Sequence, residues 1–379
     1  MENRKEPFIF RPENFGFFLV GLYGLFGLGL YFVAWASSFS PSSIAAAAQE
    51  RIAASAAAAQ TITKEELTDN VRLLSHEVMG GRSTLNKTHE LAAFFLAREL
   101  REYGALPLGE WDVPMENREY FQSFKPSDGV RQFDGRKLWS RNVIGYFPAD
   151  SDEWLIIGAH SDHVGMGEFG SRTNARGTLH PGADDNASGT SAVLEIAEAI
   201  GDLRRRGQGF KRNILIGFWG AEEMGCLGSE HFMRNLPSEV KKEKIVAALN
   251  LDMVGRNEDA SLWVIGTNWK RTLKEACPEL HALVETANKR EDLRFALNYQ
   301  DSADKDSFNR SDQESFFKAR PAGNRIPVLF FHTGEHPDYH TPTDTWEKIN
   351  YPKLARVSKL ALHVLLELAN SGLTPKYVD

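Results

Sequence analysis

The residue types of this chain that suit chemistry fall in five separated clusters. They are His160 and Asp162 in GAHSDHVG (158–165), Asp184 and Asp185 in PGADDNASG (181–189), Glu222 and Glu223 in FWGAEEMG (218–225), Asp252, and His340. Each is unremarkable alone: a His-x-Asp is commonly a hydrogen-bonded pair, an Asp-Asp before a helix an N-cap, and adjacent glutamates a solvated face. Their coincidence is the signal, because carboxylates and imidazoles brought together repel or stay unpaired unless a cation sits among them. Zinc suits that mixture of nitrogen and oxygen ligands.

Apolar runs must position these groups: WLIIGA (154–159), NILIGFW (213–219), IVAALNL (245–251) and IPVLFF (326–331) read as buried strands. Each is followed, beyond its C-terminal end, by His160 and Asp162, by Glu222 and Glu223, by Asp252, or further on by His340. In open α/β sheets, sites are built at such strand ends. Helical segments at 187–200 and 269–289 separate the runs, so the alternation predicts an α/β fold, a three-layer sandwich with a mixed, mostly parallel central sheet. Upstream, Thr63 and Glu66 form a capping-box pattern before Leu67, Val71, Leu74 and Val78, which predicts an amphipathic helix ending near Gly80 and Gly81. A second helix is expected from about Lys87 to Gly104, loops and edge strands over 107–141, and a final helix from about Pro352 to Leu368.

With 379 residues, 42% hydrophobic and 25% charged, the chain can bury a large core. Its formal charge of −7 is spread along the sequence, without the basic stripe that a phosphate-binding surface needs, which argues against nucleic acid as a partner. Cys226 and Cys277 are too few for a disulfide framework or a cysteine zinc site. Gly16–Ala36 is uncharged and long enough to span a bilayer as a helix. Arg4, Lys5 and Arg11 precede it and only Arg51 follows soon after, so the positive-inside bias places the rest of the chain on the extracytoplasmic side, periplasmic or extracellular. Cleavage after Ala34-Trp35-Ala36 would release it as a secreted protein. The expected organisation is a short cytoplasmic N-terminus (1–15), a transmembrane or signal-anchor helix (16–36), a Ser/Ala-rich spacer (37–61) and a catalytic domain (62–379).

The segments GAHSDHVG, PGADDNASGTSAVLEIAEAI, FWGAEEMGCLGS, NLDMVGR and HTGEHPDYHTPTDTWEKI (332–349) together resemble the zinc-dependent aminopeptidases with two co-catalytic metals, which include the bacterial leucyl aminopeptidases and are related to carboxypeptidase Q and glutaminyl cyclase. The resemblance covers about residues 64 to 370. It implies a zinc-dependent exopeptidase fold and two zinc ions acting on peptide substrates. Asp185 would bridge both ions, His160 and Asp252 would complete one set of ligands, and Glu223 and His340 the other. Glu222 falls at the general base, and Asp162 would accept a hydrogen bond from His160 and orient its ring. Two adjacent glutamates are needed because one stays on metal while its neighbour shuttles protons, a division that requires a turn pointing them apart.

Two features depart from the family pattern. Relatives commonly carry Ser-Asp-His before the last strand where this chain reads Ser311-Asp312-Gln313, and there is no room for a large inserted domain before the first metal strand. The competing readings are a glutaminyl cyclase-like acyltransferase, a carboxypeptidase or dipeptidase of the same fold, and a catalytically dead binding module. Trp-Gly-Ala before Glu222 speaks for the peptidases over the cyclases, and the full set of ligand positions speaks against a dead module.

Overall fold

The apolar runs become neighbouring strands of one sheet. The computed structural model describes residues 41–112, 117–126, 138–267, 277–290, 292–299 and 307–378. Its strands are Leu106–Pro107 (β1), Trp111–Asp112 (β2), Asn117–Arg118 (β3), Phe121–Phe124 (β4), Ser140–Phe147 (β5), Trp154–His160 (β6), Asn213–Trp219 (β7), Ile245–Leu251 (β8), Ser261–Ile265 (β9), Ala296–Asn298 (β10) and Val328–His332 (β11). Among the described residues, nine of them form a sheet in the order β1, β5, β7, β6, β8, β11, β9, β10, with β4 also paired to β5. β7, β6, β8 and β11 run parallel at its centre, whereas β1, β4 and β5 on one flank and β9 on the other join by antiparallel pairing. The sheet is mixed, as the sequence predicts.

All residues of the four central strands are buried, which is why they read as continuous apolar runs and not as alternating ones. Leu155, Ile157 and Ala159 face one core, and Trp154 and Ile156 face the other. The first core is covered by the helices Lys64–Leu74 (α2), His89–Glu102 (α3), Gly189–Arg205 (α4), Pro278–Asn288 (α6) and Tyr351–Asn370 (α8). Leu227–Arg234 (α5) and Gln313–Lys318 (α7) cover the second, with Phe232, Met233, Phe316 and Phe317.

The helix ends differ in part from those expected. The first amphipathic helix begins as predicted, with Thr63 Oγ accepting from the Glu66 N–H, but it ends at Leu74. Ser75 caps it through its own hydroxyl, 2.7 Å from the Val71 carbonyl, and Val78, assigned to its apolar face, is 60% exposed. A tighter 3₁₀ turn, Glu77–Arg82, follows. In it Gly81 adopts φ +66 and lies so close to the Gly165 and His180 carbonyls that a Cβ would sit within 2.7 Å of both. The segment expected as a helix over 269–289 is helical over Pro278–Asn288, and 268–276 lies outside the described residues.

The Ser/Ala-rich spacer forms the helix Pro41–Thr61 (α1), and the compact unit begins at Ala54. Ala58 and Ala59 are each 1% exposed, and Ser55 Oγ bonds His363 Nδ1 at 2.8 Å. Small side chains do not exclude burial, since they let a helix approach its neighbour closely. The apolar run Gly16–Ala36 lies outside the described residues, among which no helix is long and apolar enough to cross a membrane.

Glu195, on the buried side of α4, is 2% exposed and accepts one bond from Asn70 at 2.8 Å. Burial, helped by the charges of Glu66 and Glu198, raises its carboxyl from 4.5 to about 9. The folded chain therefore keeps a proton that the unfolded chain releases above 4.5, so stability falls as pH rises from there towards 9. Glu195→Gln is expected to stabilise the fold by on the order of 2 kcal/mol at about pH 7.5 and by nothing at about pH 4. Urea unfolding at both pH values checks this, and an equal effect at the two would refute the linkage.

Candidate metal centre

The loops that leave the central strands converge on one buried site. β6 ends at His160, and the chain continues through Asp162 and His163, all three at most 2% exposed. The Asp184-Asp185 loop precedes α4, and its backbone is pinned by Asp344, whose carboxylate accepts the N–H groups of Asp184 and Asp185 at 3.0–3.2 Å. Asn186 adds a brace, donating to the Leu251 carbonyl and accepting from Gly189 and Met253. Asp184 turns away from the centre, with Oδ1 accepting from the Gly255 N–H at 2.7 Å and Oδ2 lying 3.2 Å from His336. Its absence from the expected ligands is thereby explained.

Beneath these loops lies Arg82, 1% exposed. Its guanidinium donates to the carbonyls of Leu74, Ser161, Pro181 and Gly182 at 2.7–3.1 Å, and to that of Asp185 at 3.4 Å. One side chain thus ties the loop after β6 to the loop carrying Asp185. Sequence reasoning passed over it, because a single arginine beside two glycines resembles any helix end.

β7 ends at Trp219, and Ala221 takes a left-handed conformation at φ +57, so the two glutamates leave a turn. Glu222 Oε2 lies 3.9 Å from His160, whereas Glu223 Oε2 lies 2.9 Å from His340 and Oε1 2.7 Å from His163. Asp185 stands between the two sides, with Oδ1 3.2 Å from His160 Nε2 and Oδ2 2.9 Å from His340 Nε2. Asp252 Oδ1 lies 3.3 Å from His160 Nε2. The ligand atoms form two groups sharing Asp185, namely His160, Asp185 and Asp252, and His163, Asp185, Glu223 and His340, each within 4.8 Å.

These groups fit metal ions. His340 Nδ1 is 2.7 Å from the Gly170 carbonyl and His160 Nδ1 3.3 Å from the Asp162 carbonyl; only an N–H can satisfy a carbonyl, so in the neutral rings both Nε2 atoms present lone pairs to carboxylates. Among the described residues, His340 Nε2 and Asp252 Oδ1 are buried without a hydrogen-bond partner. Burial lowers His340, but the charges of Glu223 and Asp185 outweigh it and raise the ring to about 11. The surroundings favour positive charge at that nitrogen, which a proton or a metal ion can supply.

The neighbouring glutamates are driven in opposite directions. Burial raises Glu222 well above the usual carboxylate range, with Asp312, Glu223 and Asp252 adding to it and His160 opposing. Burial also acts on Glu223, but His340 and His163 outweigh it and hold that carboxyl at about 2. One glutamate is thus suited to hold a proton and the other to stay charged.

Asp162 requires a correction. His160 Nδ1 meets its backbone carbonyl, while the carboxylate is 3.9 Å away and instead accepts the Glu222 N–H at 2.9 Å. The two-residue spacing turns the peptide carbonyl, not the side chain, towards the ring, so Asp162 seats the Glu222 turn. Gln313, where relatives carry histidine, is wholly buried: its amide oxygen accepts from Asn250 at 2.8 Å and its nitrogen donates to the Phe308 carbonyl at 2.7 Å. It braces the loop and does not line the cleft. Cys226 and Cys277 are free thiols. A cleft opens over Asp185, Glu222 and Asp252, with Arg310, Glu335 and Tyr339 in its wall.

Residues 142–365, which contain every candidate ligand of this centre, match the profile of peptidase family M28. A probable leucine aminopeptidase of Arthroderma benhamiae is 30% identical over 233 residues, covering 60% of this chain and 57% of its own. The chain thus spans little more than half of that relative. A leucine aminopeptidase precursor from Bacteroides thetaiotaomicron is similar in structure with a TM-score of 0.61 at 23% identity, covering 80% of this chain and 97% of that one. Glutaminyl cyclase from Porphyromonas gingivalis gives 0.61 at 20% identity, with 81% and 98% covered. These structural likenesses are of fold alone, but the profile match takes in strands and site loops together, and by it the chain belongs to peptidase family M28.

Proposed function

We propose that this chain is a zinc aminopeptidase that hydrolyses the N-terminal bond of peptides, with His160, Asp185 and Asp252 holding one zinc ion, Asp185, Glu223 and His340 a second, and Glu222 as general base. The observation that carries this reading is the divergence of Glu222 and Glu223 to opposite sides of Asp185. When bound, the ions supply Lewis acidity, acidifying a water and polarising the scissile carbonyl. Glu222, at the cleft floor, takes the water proton on a carboxylate oxygen and returns it to the leaving nitrogen. Burial of Glu222 favours the protonated intermediate stage of that transfer.

A turnover screen tests the end preference. Aminoacyl peptides should be cleaved, and N-acetylated ones not. Chelation should abolish turnover and added zinc restore it. Cleavage from the C-terminus, or cyclisation of N-terminal glutamine without hydrolysis, would overturn the reading.

The two glutamates separate in a second test. Glu222→Gln should retain both ions and lose several orders of magnitude in kcat, since an amide keeps the shape but cannot accept the proton. Glu223→Gln should lose one ion and recover part of its activity in excess zinc. Mass-spectrometric metal content beside the kinetics decides: loss of an ion from the first variant and not the second would place the roles one residue out of register.

We also propose that Gly16–Ala36 anchors the chain with its catalytic unit on the extracytoplasmic side, supported by the absence of charge in that run and the basic residues before it. The full chain should sediment with membranes, and a chain beginning at Pro41 should be soluble and equally active. A chain beginning at Ile62 should be soluble but less stable by about 1–3 kcal/mol, because it lacks buried Ala58 and Ala59 and the Ser55 bond to His363. Equal thermal stability of the two truncations would show that α1 adds nothing, and a soluble full chain would refute the anchor.

A further inference from the structure

His163 lies at the centre yet is none of the residues to which the proposed mechanism gives a role. Its side chain is fully buried, its Nδ1 is 2.7 Å from Glu223 Oε1 and 3.8 Å from Asp185 Oδ2, and its ring stands edge-on to His340 with centroids 5.5 Å apart. The placement is built in. The His163 N–H donates to the Arg82 carbonyl at 3.2 Å, and Gly182 leaves room for the ring, since a Cβ there would come within 2.4 Å of His163 Cδ2.

We propose that His163 is a positioning residue of the metal centre, whose Nδ1–H donates to Glu223 Oε1 and so leaves Oε2 to face the ion seated with Asp185 and His340. This rests on the metal-centre reading above. The choice between orienting Glu223 and ligating the ion directly follows from the far side of the ring. His163 Nε2 is buried and has no hydrogen-bond partner among the described residues. If Nδ1 ligated the metal, the ring proton would sit on Nε2 and an N–H would be buried without an acceptor, whereas ligating histidines normally hand that proton to one. His160 and His340 do so, giving their Nδ1–H to the Asp162 and Gly170 carbonyls and presenting Nε2. His163 is reversed: its one acceptor is Glu223, so its proton belongs on Nδ1. Binding one carboxylate oxygen in this way makes Glu223 a one-oxygen ligand and fixes its rotamer away from Glu222.

Asparagine carries an amide nitrogen at the position of histidine Nδ1, so the experiment compares the full-length wild type with His163→Asn and His163→Leu. Zinc content is measured after equilibration against a chelator series. His163→Leu should bind one ion roughly 10–100-fold more weakly and retain the other, and His163→Asn should recover wild-type affinity to within about threefold. If asparagine and leucine both lose the ion, His163 is a direct ligand and the proposal falls. It falls equally if neither variant weakens binding. Should the leucine variant not fold, His163→Gln replaces it, because its amide reaches the Nε2 position and cannot serve Glu223. A wild type that binds no zinc would instead refute the zinc reading itself, and this proposal with it.

Discussion

Gathering carboxylates inside a protein is costly unless positive charge meets them, and that constraint organises this molecule. Asp162, Asp184, Asp185, Glu222, Asp252, Asp312 and Asp344 are all buried where the central strands end. Burial raises Asp162, Asp312 and Asp344 to about 7, a measure of how poorly their charge is offset. The cations within reach include Arg82, whose own guanidinium burial lowers to about 10, Arg256 at 3.7 Å from Asp344, and Lys353, which feels the charge of Asp184. Divalent ions shared through Asp185 would answer the remainder. Such ions would stabilise the fold as well as serve the proposed chemistry, so metal content and stability would be linked.

The cluster holds its shape because its backbone is braced as thoroughly as its side chains. Arg82 satisfies carbonyls from the loops after β6 and before α4, and Asp344 satisfies the N–H groups of Asp184 and Asp185 from the opposite direction. Asp162 does the same for Glu222, and Asn186 for the ends of β8 and α4. The loops carrying His160, Asp185, Glu222 and Asp252 are thus each fixed by a residue outside the lining of the cleft. Such bracing removes the conformational freedom that would otherwise let like charges drift apart.

This division explains what the sequence made legible. Ligand types at strand ends were readable because the central strands are buried on both faces and so appear as uninterrupted apolar runs, β7 and β8 to the residue. Helix ends were less so. Val78 continued the apolar spacing of α2, but the chain had to turn at Ser75 to deliver Arg82 beneath the centre, and periodicity carries no sign of that tertiary demand. The bracing residues were hidden for the same reason: Arg82, Asp344 and His163 act through contacts distant in sequence, and only their place in space gives them meaning. Asp162 stands out in the sequence but its partner does not, because adjacency to His160 does not say whether the carboxylate or the carbonyl reaches the ring. The final turns of α1 lack bulk and so carry no sequence sign of burial, although alanine packs closely.

Since a leucine aminopeptidase precursor and a glutaminyl cyclase share this fold to the same TM-score of 0.61, the fold cannot choose between hydrolysis and cyclisation. The sequence feature that speaks for the peptidases, Trp-Gly-Ala, forms the turn after β7. Trp219 fills the space over two glycines of the central strands: a Cβ on Gly217 would fall 2.2 Å from Trp219 Cη2, and one on Gly158 2.6 Å from its Nε1. The indole therefore locks the end of β7 against β6, the strand that ends in His160. Gly220 then passes so near the Arg141 carbonyl that a Cβ would lie 2.6 Å from it, and Ala221 turns left-handed immediately after. Trp-Gly-Ala is thus a structural statement as well as a sequence signature. The large ring anchors the strand, the glycine permits the close approach, and the turn that follows sends Glu222 towards His160 and Glu223 towards His340. A residue that altered this turn would disturb the pairing of Glu222 with His160 and of Glu223 with His340, the divergence on which the proposed hydrolysis rests.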